Sequence, residues 1–542
     1  MERTDRAGEV LTRLARGEVA GAEQACVTWW EPAADPVAAG LGALTQFWRG
    51  DFAAASGWAE RARDGARDDE ARALALAVTA LAAAGDLTAD GRPAWAEGTA
   101  LLAAAPEPAA PWWSLVRYLL AEAALVSARV VDAGAVLADG PPPADAWQGH
   151  PFAPMMHVCG VRSATFAGDI GRATALLAAM RSSVSPGERL ATAVEAVGGL
   201  VLGNADDPAG VRRSVAGAAG PAGGERDFVD RGVLLLLAFG AIAVGDAGAA
   251  ASLVFRAGDD GDLGRCTIID RALGFELFLV AALAEDDLAA AQTWLAALER
   301  LGEHPVSRPT VRRARARLLL QAGDVDAAVT ELSASIAACR REGRGVEAAE
   351  GEIVLARARI AAHDVAGASR ELRQLVQASD ATGHHAVRRS AASTLQPARR
   401  RLPPVAGGGW EVLSEREREV AEHVLDGREV DEIAGLLFLS PATVRTHVSR
   451  VLCAFGVPTR IGLLAAVGPE RLRRPDAVPA APLSARQAEV AGLVAAGATN
   501  QQVADALGIS VKGVEKHVGD VLARWQVGSR FEVARTWWAE RA

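Results

Sequence analysis

From residue 1 to residue 395, short runs of apolar and small residues are broken repeatedly by one polar step. The step is a glycine or small residue, an aspartate, an apolar residue, and an alanine four positions after the aspartate. It reads Gly50-Asp51-Phe52 with Ala55, Gly168-Asp169-Ile170 with Ala173, and Gly245-Asp246-Ala247 with Ala250. It returns at Asp286-Asp287-Leu288 with Ala291, Gly323-Asp324-Val325 with Ala328, and His363-Asp364-Val365 with Ala368. Weaker copies stand at Gly85-Asp86-Leu87, at Asp206-Asp207-Pro208 and near Arg129. Successive aspartates at 246, 287, 324 and 364 lie 41, 37 and 40 residues apart. Glycine ends one helix in a left-handed cap, aspartate caps the next by accepting its first N–H groups, and alanine lets the two helices approach. Each unit is then a helical hairpin with one apolar face that only a neighbouring unit can bury, so about nine of them stack into a continuous core. The predicted fold is all-α, beginning with a helical-repeat solenoid over residues 1–395.

The repeat stops at Gln396-Pro397, and a stretch rich in proline, arginine and glycine runs through Arg399-Arg400-Arg401, Pro403-Pro404 and Gly407-Gly408-Gly409; it reads as a linker over 396–410. A second proline-rich break covers 469–482. The segments between and after these breaks, 411–468 and 483–542, match each other without a gap at an offset of 70: Leu413-Ser414 with Leu483-Ser484, Gly427 with Gly497, Ile433-Ala434 with Val503-Ala504, Ser440 with Ser510, His447 with His517, and Arg460 with Arg530. In the first copy the pattern predicts one helix from near Ser414 to Leu425, a second over about Asp431 to Leu437, and a third opened by Ser440 as N-cap and Pro441 at the first helical position. Val444, Val448 and Val451 fall on one face of that third helix. Thr443, Arg445, Thr446 and Arg450 occupy the other positions. A short helix with one buried stripe and one Arg/Thr face fits the major groove of double-stranded DNA.

Both segments resemble the LuxR-type helix-turn-helix, on Leu413-Ser414-Glu415-Arg416-Glu417-Arg418-Glu419-Val420, Ile433-Ala434 and Ser440-Pro441-Ala442-Thr443-Val444-Arg445-Thr446-His447 and on their counterparts 70 residues on. The resemblance implies a transcription regulator whose third helices enter DNA. It also implies a fourth helix, near Arg460 to Val467, of a kind often used for dimerisation. The residues expected at DNA are Ser440, Thr443, Arg445, Thr446, His447 and Arg450 in copy one, and Ser510, Lys512, Glu515, Lys516 and His517 in copy two. Copy one departs from the family with Glu429-Val430-Asp431 at the start of its second helix; copy two departs with Gly513 and Glu515 in its third. The repeat array, for its part, resembles degenerate tetratricopeptide (TPR) repeats.

Composition narrows the chemistry. Of 57 lysines and arginines only Lys512 and Lys516 are lysine, so no lysine precedes position 512 to serve a P-loop, a kinase site or a pyridoxal-phosphate site. Five scattered cysteines form no CxxC pair and read as buried thiols. The acidic run Asp259-Asp260-Gly261-Asp262 fails the calcium-loop spacing, His384-His385 reads as an exposed loop pair, and Trp29-Trp30, Trp112-Trp113 and Trp537-Trp538 read as packing residues. The expectation is a protein that is not an enzyme and uses no metal or cofactor. The charged start of the chain and the longest apolar run, only 14 residues from Gly232 to Gly245, predict a cytoplasmic protein without a membrane partner. The net charge of −10 belongs almost wholly to residues 1–409, whose formal charge is −9; Ile433–Gly468 holds three arginines and no acid. The favoured reading is a DNA-binding transcription regulator, a possible homodimer, with a protein partner or small ligand on the solenoid. The alternative is a scaffold whose degenerate helix-turn-helix copies contact protein.

Overall fold

The computed structural model describes residues 3–107, 110–138, 149–181, 189–217, 226–258, 261–302, 304–402, 408–467 and 481–541. These are helical throughout, with no strand among them. The chain divides into two compact units, residues 1–400 and 401–542.

The first unit is a TPR-like array of antiparallel helix pairs. Pro36–Arg49 packs on Phe52–Gly65, Phe228–Ala243 on Ala247–Ala257, Arg308–Gln321 on Val325–Arg341, and Gly345–Ala361 on Val365–Ala381. The joints are built as the polar step dictates. Gly50, Gly168, Gly245 and Gly323 have φ between 81° and 87°, and where glycine is missing Asp206, Asp286 and His363 take the left-handed conformation instead. Asp51, Asp246, Asp287 and Asp324 each accept the backbone N–H three residues on, at 2.9 to 3.2 Å. Asp169, Asp207 and Asp364 do the same. Ala55, Ala173, Ala250, Ala291, Ala328 and Ala368 are fully buried between the paired helices. The weak copy at Gly85-Asp86 departs from the pattern: Asp86 turns onto Thr88 and the next helix begins at Arg92. Asp259 and Asp260 lie outside the described residues.

The array also closes on itself. The Val130 N–H donates to the Glu342 carbonyl at 2.9 Å and the Gly171 N–H to the Thr382 carbonyl at 2.8 Å. Arg389 Nε reaches Asp206 at 2.8 Å, and the Arg231 guanidinium reaches the Arg49 carbonyl at 2.7 Å. At the closest crossing, a Cβ on Gly345 would stand 2.1 Å from the Ala167 carbonyl oxygen, so only glycine fits. His384 is drawn inside by this closure. It is 5% exposed, correcting its reading as half of an exposed loop pair; residues from hairpins far away in sequence cover it. Four of the five cysteines are buried, and Trp29 and Trp113 are core residues. No described helix is long and apolar enough to cross a membrane.

The second unit holds two four-helix copies. In copy one the helices are Glu415–Leu425, Val430–Leu437, Pro441–Ala454 and Arg460–Val467; in copy two they are Ala485–Ala495, Asn500–Leu507, Val511–Trp525 and Arg530–Ala539. Both first helices open with a capping box, Ser414 with Glu417 and Ser484 with Gln487.

Candidate nucleic-acid interface

Each third helix is fixed from behind and left open in front. Val444 and Val451 are fully buried and Val448 packs at the edge of the same core; Val514, Val521 and Val518 repeat the arrangement. The i, i+4, i+7 stripe fixes which way the remaining side chains point. Ser440 accepts the Thr443 N–H at 3.1 Å, and Ser510 the Gly513 N–H at 3.1 Å, so both serines are N-caps. Thr446 bonds back to the Ala442 carbonyl at 3.0 Å. Thr443, Arg445 and Thr446 are exposed in copy one, as are Lys512, Glu515 and Lys516 in copy two, while His447 and His517 are half-buried.

Arg450 has a different placement. Its guanidinium donates to Glu417 at 3.2 Å, and the His447 Nδ1 lies 4.0 Å from the same carboxylate. Burial opposes the charge on Glu417, but the Ser414 N–H and hydroxyl and the Arg450 guanidinium outweigh it and hold the carboxyl below its ordinary value. Burial also pushes the His447 imidazole down, with Glu417 opposing, so His447 favours its neutral form. Arg450 thus ties the third helix to the first and turns only part of its charge outward.

Two positions that sequence reasoning assigned no role turn out to brace the motif. Arg416 donates to the Leu437 carbonyl at 2.7 Å and to Glu419 at 2.6 Å. Arg486 repeats both contacts, to Leu507 at 2.8 Å and Glu489 at 2.7 Å. Each arginine closes the open carbonyl end of the second helix, fixing the turn into the third. The available signal was their identity at the offset of 70. Arg460 and Arg530 act alike at the other end, bonding the Arg428 and Ala498 carbonyls that lead into the second helices.

The two copies pack against each other through their fourth helices. Phe531, Ala534, Trp537 and Trp538 of copy two join Leu463 and Leu464 of copy one in one apolar cluster. The Arg460 guanidinium stacks over the Phe531 ring at 5.1 Å. The contact is reciprocal: Gly427, ending the first helix of copy one, faces Phe531 and Arg535, and Gly497, its counterpart, faces Gly462 of the opposite fourth helix. The same surface of each copy is used, as in a two-fold dimer. Trp538 Nε1 is satisfied by the Ala495 carbonyl at 3.0 Å.

Comparison with known proteins agrees with this geometry. The family model for bacterial regulatory proteins of the luxR family matches residues 411–465 and again 481–537, so the chain carries two LuxR-type helix-turn-helix domains. Over 74 residues it is 40% identical to a probable transcriptional regulatory protein NarL of Mycobacterium tuberculosis, covering 14% of this chain and 32% of the relative. Over 49 residues it is 43% identical to the spore germination protein GerE of Bacillus subtilis, covering 9% of this chain and 66% of the relative. This chain therefore spans about a third of the NarL relative's length. The solved structure of the APC/C hetero-tetramer Cut9–Hcn1 aligns with 73% of this chain and 93% of its own at 10% identity and a TM-score of 0.26, too loose a likeness to add to the fold description.

Proposed function

We propose that this protein is a transcription regulator in which the two helix-turn-helix copies grip adjacent DNA half-sites as a covalent pseudo-dimer, while the solenoid receives a signal. The observation that carries this reading is the reciprocal packing of the fourth helices, which holds two outward-facing third helices as one body. Regulators with this motif reach two half-sites about 34–36 Å apart by pairing chains; here both members lie in one chain. Relatives named as transcriptional regulators support the same direction.

Within the pair, Thr443, Arg445 and Thr446 of copy one are the base-reading candidates, and Arg445 has the fork that pairs with guanine. Lys512 and Lys516 of copy two are point charges suited to phosphate. The domain limits that go with this reading are a solenoid over 1–395 and two modules over 411–468 and 483–542.

A mobility-shift assay on the protein's own upstream DNA at two salt concentrations tests the reading. Binding should weaken steeply with salt. Footprints of Arg445→Ala and Lys516→Ala should each lose part of the protected region; a footprint left whole by either substitution shows that the pair is not a unit. Absence of salt-dependent binding by the full chain would favour a protein-contact scaffold. The acidic start of the second helix in copy one, where Glu429 and Glu432 form their own capping box, is the feature that speaks for that second reading.

A further inference from the structure

The array holds a partly open cavity of about 470 Å³, within the range of small-molecule sites. One side is apolar, with Leu236, Phe239, Leu273, Leu277 and Val280. Helices Arg308–Gln321, Gly345–Ala361 and His385–Leu395 add a strongly charged row to the lining. Arg313 is bound by Glu276 at 2.7 Å and by Glu347, and Arg344 by Glu347 at 2.6 Å. Arg317 is bound by Glu350, with Glu276 at 3.6 Å. Arg357 completes the row. Its hydrogen bond among the described residues is to the Thr394 hydroxyl, at 3.4 Å, and the carboxylate that acts on it, Glu350, is already held by Arg317.

This cluster therefore holds four guanidiniums (Arg313, Arg317, Arg344, Arg357) against three carboxylates (Glu276, which comes from the helix of Leu273 and Leu277, with Glu347 and Glu350). His384 beside it does not change the balance, because burial pushes its imidazole down to about 4. Of the other lining arginines, Arg162 and Arg389 are matched by Glu122 and Asp206 outside the lining, and Arg231 bonds the Arg226 and Arg49 carbonyls. The fourth lining acid, Asp270, takes a hydrogen bond from Thr267 at 2.6 Å, and burial pushes its carboxyl up, toward the neutral form. Arg357 is exposed where it lines the cavity, with no carboxylate bonded to it among the described residues, and Arg presents the fork that a carboxylate fills in bidentate fashion.

We infer that this cavity binds an organic monoanion with an apolar body, its carboxylate on Arg357 beside Arg317 and its hydrocarbon part against Leu236, Phe239 and Leu273. The inference deepens the reading of the solenoid as the signal-receiving arm and rests on it only for the regulatory consequence; the binding itself is independent of DNA.

The test is calorimetry on the full chain with decanoate, decan-1-ol and decylammonium. The expected result is one decanoate per chain, with the alcohol at least tenfold weaker and the cation weaker still. Arg357→Gln should weaken decanoate at least tenfold and leave the alcohol within about twofold. Leu273→Trp, which fills the apolar side, should abolish binding of both while circular dichroism and thermal melting stay near wild type. Equal affinity for decanoate and decanol in the wild-type chain, or multiple weak sites, overturns the inference without any variant; so does Arg357→Gln that folds and binds decanoate as before. The salt-dependent mobility shift is scored on the same preparation. Loss of decanoate binding with the DNA shift intact rejects the ligand alone, and the converse rejects only the DNA reading.

Discussion

At the left-handed residue that ends the second helix, copy one carries Phe438 and copy two Gly508. The backbone is the same, with φ of 54° and 63°, but Phe438 is 95% exposed and holds a conformation that disfavours a side chain. Three residues into the third helix the contrast reverses: Thr443 in copy one, Gly513 in copy two. Glu417 and Arg450, an ion pair in copy one, become Gln487 and Asp520 in copy two. Arg445 becomes Glu515. Meanwhile Val420, Ile433, Val444, Val451 and Leu463 face Val490, Val503, Val514, Val521 and Val533, all buried. Packing tolerates only apolar residues of similar size inside, whereas the outer face has been free to take opposite charges. One frame therefore presents two unlike surfaces to whatever it binds.

The largest expected effect comes from separating the copies. Leu464 is fully buried in the shared cluster, so Leu464→Ala should cost about 2–5 kcal/mol, visible as a lower thermal midpoint for the C-terminal unit; a midpoint unchanged within error would mean that the copies do not depend on each other. Next comes the difference in surface charge. Arg445→Ala should weaken DNA binding by about 1–3 kcal/mol if it pairs with a base, whereas Glu515→Ala should strengthen binding with little change in sequence preference. Fluorescence anisotropy across a salt series separates these, and a weaker complex from Glu515→Ala would reverse the assignment of copy two.

Smaller effects come from exchanging the backbone choices. Gly513→Ala meets only ordinary contacts, the nearest being Ser510 Oγ at 3.4 Å, and should stabilise by up to about 1 kcal/mol. Phe438→Gly should stabilise copy one by about 1 kcal/mol through its left-handed site, so chemical denaturation should show both substitutions shifting the C-terminal transition upward. The smallest effect concerns acid. The Glu417 carboxyl sits below its unfolded value, so its contribution is present above about pH 4.3 and is lost as pH falls through the lower folded value. Glu417→Gln, the residue copy two already has, should flatten the pH dependence of stability in that acid range; an unchanged profile would show that the ion pair contributes nothing there.

Features set by near neighbours were legible in the sequence. Asp51, Asp246 and Asp324 announce helix starts because the groups they bond lie three residues away, and Ala250 or Ala328 marks the inner face by position alone. The Ser440-Pro441 start and the valine stripe of the third helix could be read for the same reason. Contacts between distant residues could not. Nothing near His384 says that it will be covered, and nothing near Arg450 that Glu417, 33 positions earlier, will hold it. Arg313, Arg317 and Arg344 look like surface arginines until the packing of the array buries them. Trp537 and Trp538 were legible as packing residues, but not as packing on the other copy.

Closure of the array bears on how the protein is made. A simple row of hairpins can add one unit after another as each leaves the ribosome, since every contact is with the unit before. Here the Val130 N–H finds its partner only at Glu342, and the slot against Ala167 stays open until Gly345 arrives. The early hairpins must wait for some two hundred further residues before their inner wall is covered. Contacts of such long sequence separation slow folding and leave apolar surface uncovered meanwhile. The solenoid should accordingly acquire protease resistance in one late step during synthesis rather than hairpin by hairpin.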